Sequence, residues 1–430
     1  MAVPSHNTRI VSFDLINAVL KSRRPLDDVL EEFTSFNSLE PRERAFARNL
    51  TATTLRRLGQ IDNLINHCLE RALPRRAIAV RDVLRLGICQ LLFLRTPAHA
   101  AVDTTVTLLD EINLGHYKKL VNAIMRRLSR EGGKLTEKQD VEKLNTPEWL
   151  WKSWRKAYGK VACRRIAQAH LSEPPLDITA KENAEIWASN LGATLLSTGT
   201  LRLAKMANVR KLVGFDEGAW WVQDAAAALP VALLGNINGK HIIDLCAAPG
   251  GKTAQLISRG ARVSSVERSA MRIQRLEENL ARLNMSTKVF CHDASNWSPN
   301  EKADAVLLDA PCSSTGTIRR HPDIQHLKNA EDVRKLSNAQ YRLLEAAITM
   351  VKPGGRIIFC TCSLQPEEGP QLIEKILKKY SSIHLEDIRS DEIGGLDELI
   401  FGKGTIRCLP CHLPEQGGLD GFFIARLVSD

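Results

Sequence analysis

From position 241 onward the chain repeats one rhythm: a short apolar run, a tight turn, then a helical pattern. The runs fall at 241–246, 261–267, 288–291, 303–309 and 355–361, with helical patterns such as 269–283 and 336–351 between them. Alternating β and α segments with apolar strands predict a parallel sheet covered by helices on both faces. Sheets of that kind receive their ligands beyond the carboxyl ends of the strands. The glycine- and cysteine-bearing motifs of this half all fall at such ends.

The first 130 residues read differently. Apolar positions Ile78, Val83, Leu84, Gly87, Ile88, Leu91 and Leu92 follow helical spacing, with Arg81, Asp82 and Arg85 on the other face. Similar patterns run over 44–58 and 117–128, and no alternating strand lies between them. The expected architecture is multidomain. An all-α domain spans 1–130, and a polar linker spans 131–147, opened by Glu131-Gly132-Gly133-Lys134. A small α+β domain follows at 148–235, and an α/β Rossmann-like domain fills 236–430.

With 430 residues, 44% of them hydrophobic, such a chain can bury more than one core. It has no 18-residue apolar run and no secretory pattern at its start, so no membrane is expected and the cytoplasm is the expected compartment. Ten cysteines are too dilute for a disulfide scaffold and read as core residues or reactive thiols. Cys408 and Cys411 form a CxxC beside His412, but without a second ligand pair the core reading outweighs a metal site. The formal net charge is +10, and residues 1–130 hold 20 lysines and arginines against 13 acids. A surface of that sign favours a polyanionic partner, nucleic acid first. No coiled-coil signal appears, and a monomer is expected.

The sharpest turn is Asp244-Leu245-Cys246-Ala247-Ala248-Pro249-Gly250-Gly251-Lys252-Thr253. A phosphate-binding P-loop would need glycine where Cys246 stands, and the dinucleotide fingerprint lacks its spaced glycines. A ligand without phosphates that needs close backbone approach fits better, and S-adenosylmethionine is one. Glu267, at the end of the second run, is then placed for ribose hydroxyls, and Asp293, after the third, for the adenine amino group. The expected cofactor set is Cys246, Ala247, Ala248, Pro249, Gly250, Gly251, Lys252, Glu267, Asp293 and Asp309.

Two cysteines stand at strand ends, in Asp309-Ala310-Pro311-Cys312-Ser313 and Thr361-Cys362-Ser363. Enzymes that methylate amines place an aromatic residue where Cys312 puts sulfur. Thiols there suit carbon methylation of a pyrimidine: a thiolate adding to carbon 6 of cytosine makes carbon 5 nucleophilic. Burial as small hydrophobes is the commoner fate of a cysteine, and it suits Cys246, Cys291 and Cys360 better than this pair.

The chain resembles the RNA cytosine-5 methyltransferase family. The resemblance rests on DLCAAPGGKT at 244–253, DAPCS at 309–313 and TCS at 361–363. Further matching stretches are Gly316 to Asp323, Leu336 to Gln340, Pro366-Glu367-Glu368 and Asp420-Gly421-Phe422-Phe423. It implies Cys362 as nucleophile, Cys312 as the thiol aiding release, Asp309 on the cytosine edge and Lys252 nearby. The front end is similar to the NusB family of RNA-binding proteins, through Leu84 to Leu92, Pro97 to Val102 and Val121 to Arg127. That combination implies small-subunit (16S) ribosomal RNA as substrate. Transfer RNA, DNA, or a role as an RNA-binding module without catalysis stay open as alternatives. Arg319, Arg320 and His321 are placed to hold flanking phosphates. The family's Leu-Arg-x-Asn strand is replaced here by Leu176-Asp177-Ile178-Thr179.

Overall fold

The computed structural model describes residues 8–74, 77–204 and 208–430. They divide into two compact units. One runs to Ser172 and includes Ile318–Asn329; the other comprises Glu173–Thr317 and Ala330–Asp430.

The first unit is helical. Its main helices span Thr8–Leu20, Pro41–Arg56, Leu58–Cys68, Ile78–Ile88, Ala98–Glu111, Lys118–Glu137 and Glu148–His170. Val83, Leu84 and Ile88 enter its core with Val121, Met125 and Leu128. Asp82, expected on the polar face, is 1% exposed and is held by Lys21 at 3.0 Å and Arg85 at 2.8 Å. Hydropathy spacing cannot register an ion pair that closes from two other positions.

The expected linker at 131–147 is corrected. The helix continues through Glu137, and a short one follows at Val141–Leu144. Gly132 does not break the helix but lets it approach Leu92, whose Cδ2 would lie 2.9 Å from an added Cβ. The expected boundary at 148 moves too, because the tryptophan-rich helix Glu148–His170 belongs to the helical unit.

The second unit carries two sheets. The small one holds β1 (Leu176–Ala180), β2 (Thr194–Leu195), β3 (Leu201–Leu203) and β4 (Trp220–Val222), antiparallel in the order β2-β3-β1-β4. Asp177, standing where the related family has arginine, is fully buried. It takes a bidentate pair from Arg202 at 2.7 and 2.6 Å and accepts from the Ala225 amide at 3.0 Å. Charge-assisted bonds of that geometry are strong and oppose the cost of burying both ions, though burial still holds the Asp177 carboxyl above its usual value.

The large sheet holds β5 (His241–Leu245), β6 (Arg262–Glu267), β7 (Lys288–Cys291), β8 (Ala303–Asp309), β9 (Val351–Thr361), β10 (Ile383–Leu385), β11 (Ile400–Gly402), β12 (Thr405–Cys408) and β13 (Phe422–Ser429). Its order is β11-β12-β13-β9-β8-β5-β6-β7, with β10 also on β13. Strands β5 to β9 pair in parallel as the alternation predicted. The rest is a correction: β10 to β13 are antiparallel, so the sheet is mixed. Strand β13 escapes a simple pattern reading because Arg426 sits inside it, 2% exposed and paired with Glu392 at 2.6 Å. Alternate residues feed opposite faces: Ile242 and Leu307 join one core, Ile243 and Leu308 the other. Cys408 and Cys411 are buried. Among the described residues, no helix is long and apolar enough to cross a membrane.

In the helical unit His170 is 5% exposed, its ring 5.3 Å from that of Trp154. Burial, with Arg319 and Arg56 nearby, drops its pKa to about 3. The unfolded chain therefore takes up a proton near pH 6.5 that the folded one refuses. The neutral ring's contribution is complete above that pH and is lost as pH falls toward 3. His170→Phe should flatten the decline in unfolding midpoint between pH 7 and pH 4.5 relative to wild type, measured by urea denaturation.

Candidate active site

Strand β5 lies between β6 and β8, so the chain leaves it where the connections diverge and a crevice opens at the carboxyl ends. Cys246 ends the strand at φ 60°, and Gly250 turns the chain into the helix Gly251–Ser258 at φ 103°, where a side chain would be strained. The helix Ala270–Arg282 fixes this loop from outside: Asn279 donates to the Pro249 carbonyl at 2.9 Å and Arg272 to that of Ala248. Thr253 donates to Asp244 at 2.6 Å, and burial pushes the Asp244 carboxyl up to about 7.

A cleft of roughly 590 Å³, open to solvent, is lined by Cys246, Glu267, Asp293, Pro311, Arg342 and Leu343 among others. Glu267 is 2% exposed. Its Oε1 accepts from the Ser269 amide at 3.1 Å, while Oε2 lies 3.2 Å from Arg272 and has no hydrogen-bond donor. A buried carboxylate oxygen short of a donor fits a ligand with vicinal hydroxyls. Asp293 accepts from the Ser295 hydroxyl and amide at 2.7 and 2.9 Å, which hold its carboxyl below the usual range.

Strands β8 and β9 run parallel with Asp309 opposite Cys360, so the two cysteine motifs leave the sheet side by side. The Sγ atoms of Cys312 and Cys362 are 3.4 Å apart, and the Ser314 hydroxyl is 3.6 Å from Cys362. Lys252 donates to Asp309 at 2.8 Å, and the Cys360 sulfur is 3.5 Å from the same carboxylate. Burial works against the Lys252 ammonium, but Asp309, Cys360 and Cys362 together outweigh it and raise its pKa. The Cys312 S–H lowers the Cys362 thiol below its ordinary value; Ser314 and Lys252 help, while burial and Asp309 oppose. Cys312 is driven the other way by its bond to Cys362, by burial and by the charge of Glu368. Two thiols in contact do not both ionise at low cost, so the ionised pair is one thiolate beside one S–H.

Three of the sequence-predicted residues lie elsewhere. Arg319, Arg320 and His321 belong to the helical unit. Arg319 is 2% exposed and its carbonyl accepts from Arg56 at 2.8 Å, so its guanidinium is not presented to phosphates and that expectation is corrected. His321 is 3.0 Å from Asp27, and Arg320 is partly buried. Sequence reasoning gave no role to Glu368, Gln340, Arg272 or Arg407, which bond the loops of the site. The Pro366-Glu367-Glu368 and Leu336 to Gln340 stretches carried the only signal for two of them.

Residues 231–428 match the family described as 16S rRNA methyltransferase RsmB/F, and residues 6–130 match the NusB family. Ribosomal RNA small subunit methyltransferase B of Photorhabdus laumondii is 33% identical over 446 residues, covering 99% of both chains. The chain belongs to the RsmB/F family. A relative of the same description from an Enterobacter species is 32% identical over 441 residues, again with 99% of each covered. Among solved structures, PH0851 has a TM-score of 0.75 over 99% of both chains at 23% identity, a likeness of fold. As an RsmB/F family member the chain is an S-adenosylmethionine-dependent rRNA methyltransferase. The cleft residues fit that donor: Cys246, the first residue of the glycine-rich turn, lines the cleft with Glu267, whose Oε2 is short of a donor. Hydrogen bonds to a charged group contribute about 1.5–3 kcal/mol, so Glu267→Ala should weaken S-adenosylmethionine binding by roughly 10- to 100-fold in isothermal titration.

Proposed function

We propose that this enzyme methylates carbon 5 of a cytosine in 16S ribosomal RNA through a covalent adduct on Cys362. The observation that carries the reading is the sulfur pair itself, Cys312 and Cys362 in contact at 3.4 Å beyond the ends of two parallel strands. Thiolate is the nucleophilic form of cysteine, and the resemblance of the Thr361-Cys362-Ser363 stretch to the family's motif assigns the attack to Cys362. Cys362 adds to carbon 6, and the enamine so formed makes carbon 5 a nucleophile. S-adenosylmethionine, held by the 246–252 loop with Glu267, Asp293 and Asp309, supplies an electrophilic methyl group. The Asp309 carboxylate accepts from the 4-amino group and from ring nitrogen 3 once solvent has protonated that nitrogen, with Lys252 at 2.8 Å keeping the carboxylate in place. After transfer water takes the carbon 5 proton, the electrons of that C–H bond restore the double bond between carbon 5 and carbon 6 as Cys362 departs as a thiolate, and ring nitrogen 3 gives back its proton to solvent. Cys312, within contact of that sulfur, assists the departure.

A base in duplex must leave its stack to reach such a site, at a few kcal/mol, less in a loop. The basic helical unit supplies phosphate contacts that add affinity. All ten cysteines are free, and a mechanism with two thiols needs a reducing compartment, which supports the cytoplasm.

Radiolabelled methyl transfer to unmodified 16S rRNA tests the roles. Cys362→Ala should abolish transfer, and Cys312→Ala should accumulate a protein–RNA band on a denaturing gel. The reversed pattern would make Cys312 the nucleophile and overturn the assignment. RNA affinity should also fall at least about tenfold between 50 and 200 mM salt in a filter-binding titration, as expected when phosphate contacts release counterions; a flat response would remove the helical unit's electrostatic role.

A further inference from the structure

The two cysteine loops are tied together behind the sulfurs by one carboxylate. Glu368 is 0% exposed, in the short turn Pro366–Glu368 that follows β9. Its Oε1 accepts from the Ser313 amide at 2.9 Å and from the Gln340 amide at 3.1 Å. Its Oε2 accepts from the hydroxyls of both Ser313 and Ser363. Ser313 directly follows Cys312, and Ser363 directly follows Cys362. Gln340 also donates to the Pro311 carbonyl at 2.9 Å, the residue before Cys312. On the other side the Glu368 carbonyl accepts from the Thr361 hydroxyl at 2.9 Å, the residue before Cys362.

Four donors converge on one buried carboxylate, and no cation is among them. Burying a charge without an ion partner is costly, and the donors offset only part of that cost. A neutral residue serving packing alone would not need that arrangement. What the carboxylate adds is a fixed pair of acceptors spanning two loops that the sheet holds only at their roots, and a negative charge beside Cys312.

We propose that Glu368 is a positioning residue for methyl transfer: by bonding at once to the residues following Cys312 and Cys362, it sets the two sulfurs in contact and gives each its separate role. The proposal rests on the two-thiol reading above. Glu368 touches neither sulfur. It acts through Ser313 and Ser363, and its charge disfavours a second thiolate at Cys312, leaving that S–H to donate to Cys362. Without the tether the loops keep their strand roots but lose their spacing, and misplacement of reacting groups by about 1 Å costs on the order of 100-fold in rate.

Glu368→Gln is the test, since it keeps the shape while placing an amide donor against donors and removing the charge. Single-turnover methyl transfer should fall on the order of 100-fold, with S-adenosylmethionine affinity within about threefold of wild type. In the free enzyme, iodoacetamide alkylation against pH, read by peptide mass spectrometry, should show Cys362 titrating well below Cys312 in wild type and the two midpoints converging in the variant. Transfer within about threefold of wild type, or unchanged midpoints, overturns the proposal. Should Glu368→Gln fail to bind S-adenosylmethionine, Ser313→Ala and Ser363→Ala each remove one tether. Slowed transfer in either, with donor binding intact, supports the proposal; wild-type rates in both overturn it. The alkylation readout needs no RNA, so it stands apart from the two-thiol reading, which fails separately if Cys362→Ala remains active.

Discussion

The parallel pairing of β8 with β9 is the constraint on which the site depends. With Asp309 opposite Cys360, two motifs separated by some fifty residues of chain leave the sheet together, and their sulfurs arrive 3.4 Å apart. Parallel neighbours need a crossover, and the helix Ala330–Met350 supplies it, burying Leu343, Leu344 and Ala347 against the sheet. A one-residue slip of β8 would turn Asp309 to the opposite face and separate the lysine from its carboxylate. Catalytic geometry here is a property of strand register before it is a property of any loop.

Around that register the charges are distributed so that neighbouring groups differ in protonation. Lys252 and Asp309 form an ion pair at the strand end, while Asp244, buried one strand away, is pushed up to about 7. Cys362 is lowered by the thiol beside it and Cys312 is raised. Two like groups in contact cannot both ionise at low cost, so the first proton lost fixes the role of the second. The same sheet thus carries a cleft lined by Glu267 and Asp293 and, at β8 and β9, a pair of thiols in contact.

The helical unit shows how local reading fails where long-range partners decide. Gly132-Gly133 looks like a break, yet Leu92 packs against Gly132 and the helix continues through Glu137. Asp82 looks solvated, yet Lys21 and Arg85 close over it. Arg319 looks like a phosphate ligand because it follows the DAPCS stretch, yet it is buried in the helical unit. In each case a deciding neighbour, Leu92 for Gly132 and Lys21 for Asp82 among them, lies beyond the span of a helical turn.

The family resemblance singled out Asp309; by itself the sequence determined the alternation of strands and helices from 241 onward, the turn at 244–253, and the candidacy of Glu267, Cys312 and Cys362. These follow from residue type and local period, which are properties of neighbours along the chain. Only the tertiary structure decided that β10 to β13 turn the sheet mixed, that Asp177 is consumed by Arg202, and that Glu368 bonds both cysteine loops. Those are matters of which segments meet. Hydrogen bonds and ion pairs between distant segments form only once the strands have chosen their neighbours, and nothing in the local pattern of a chain records that choice.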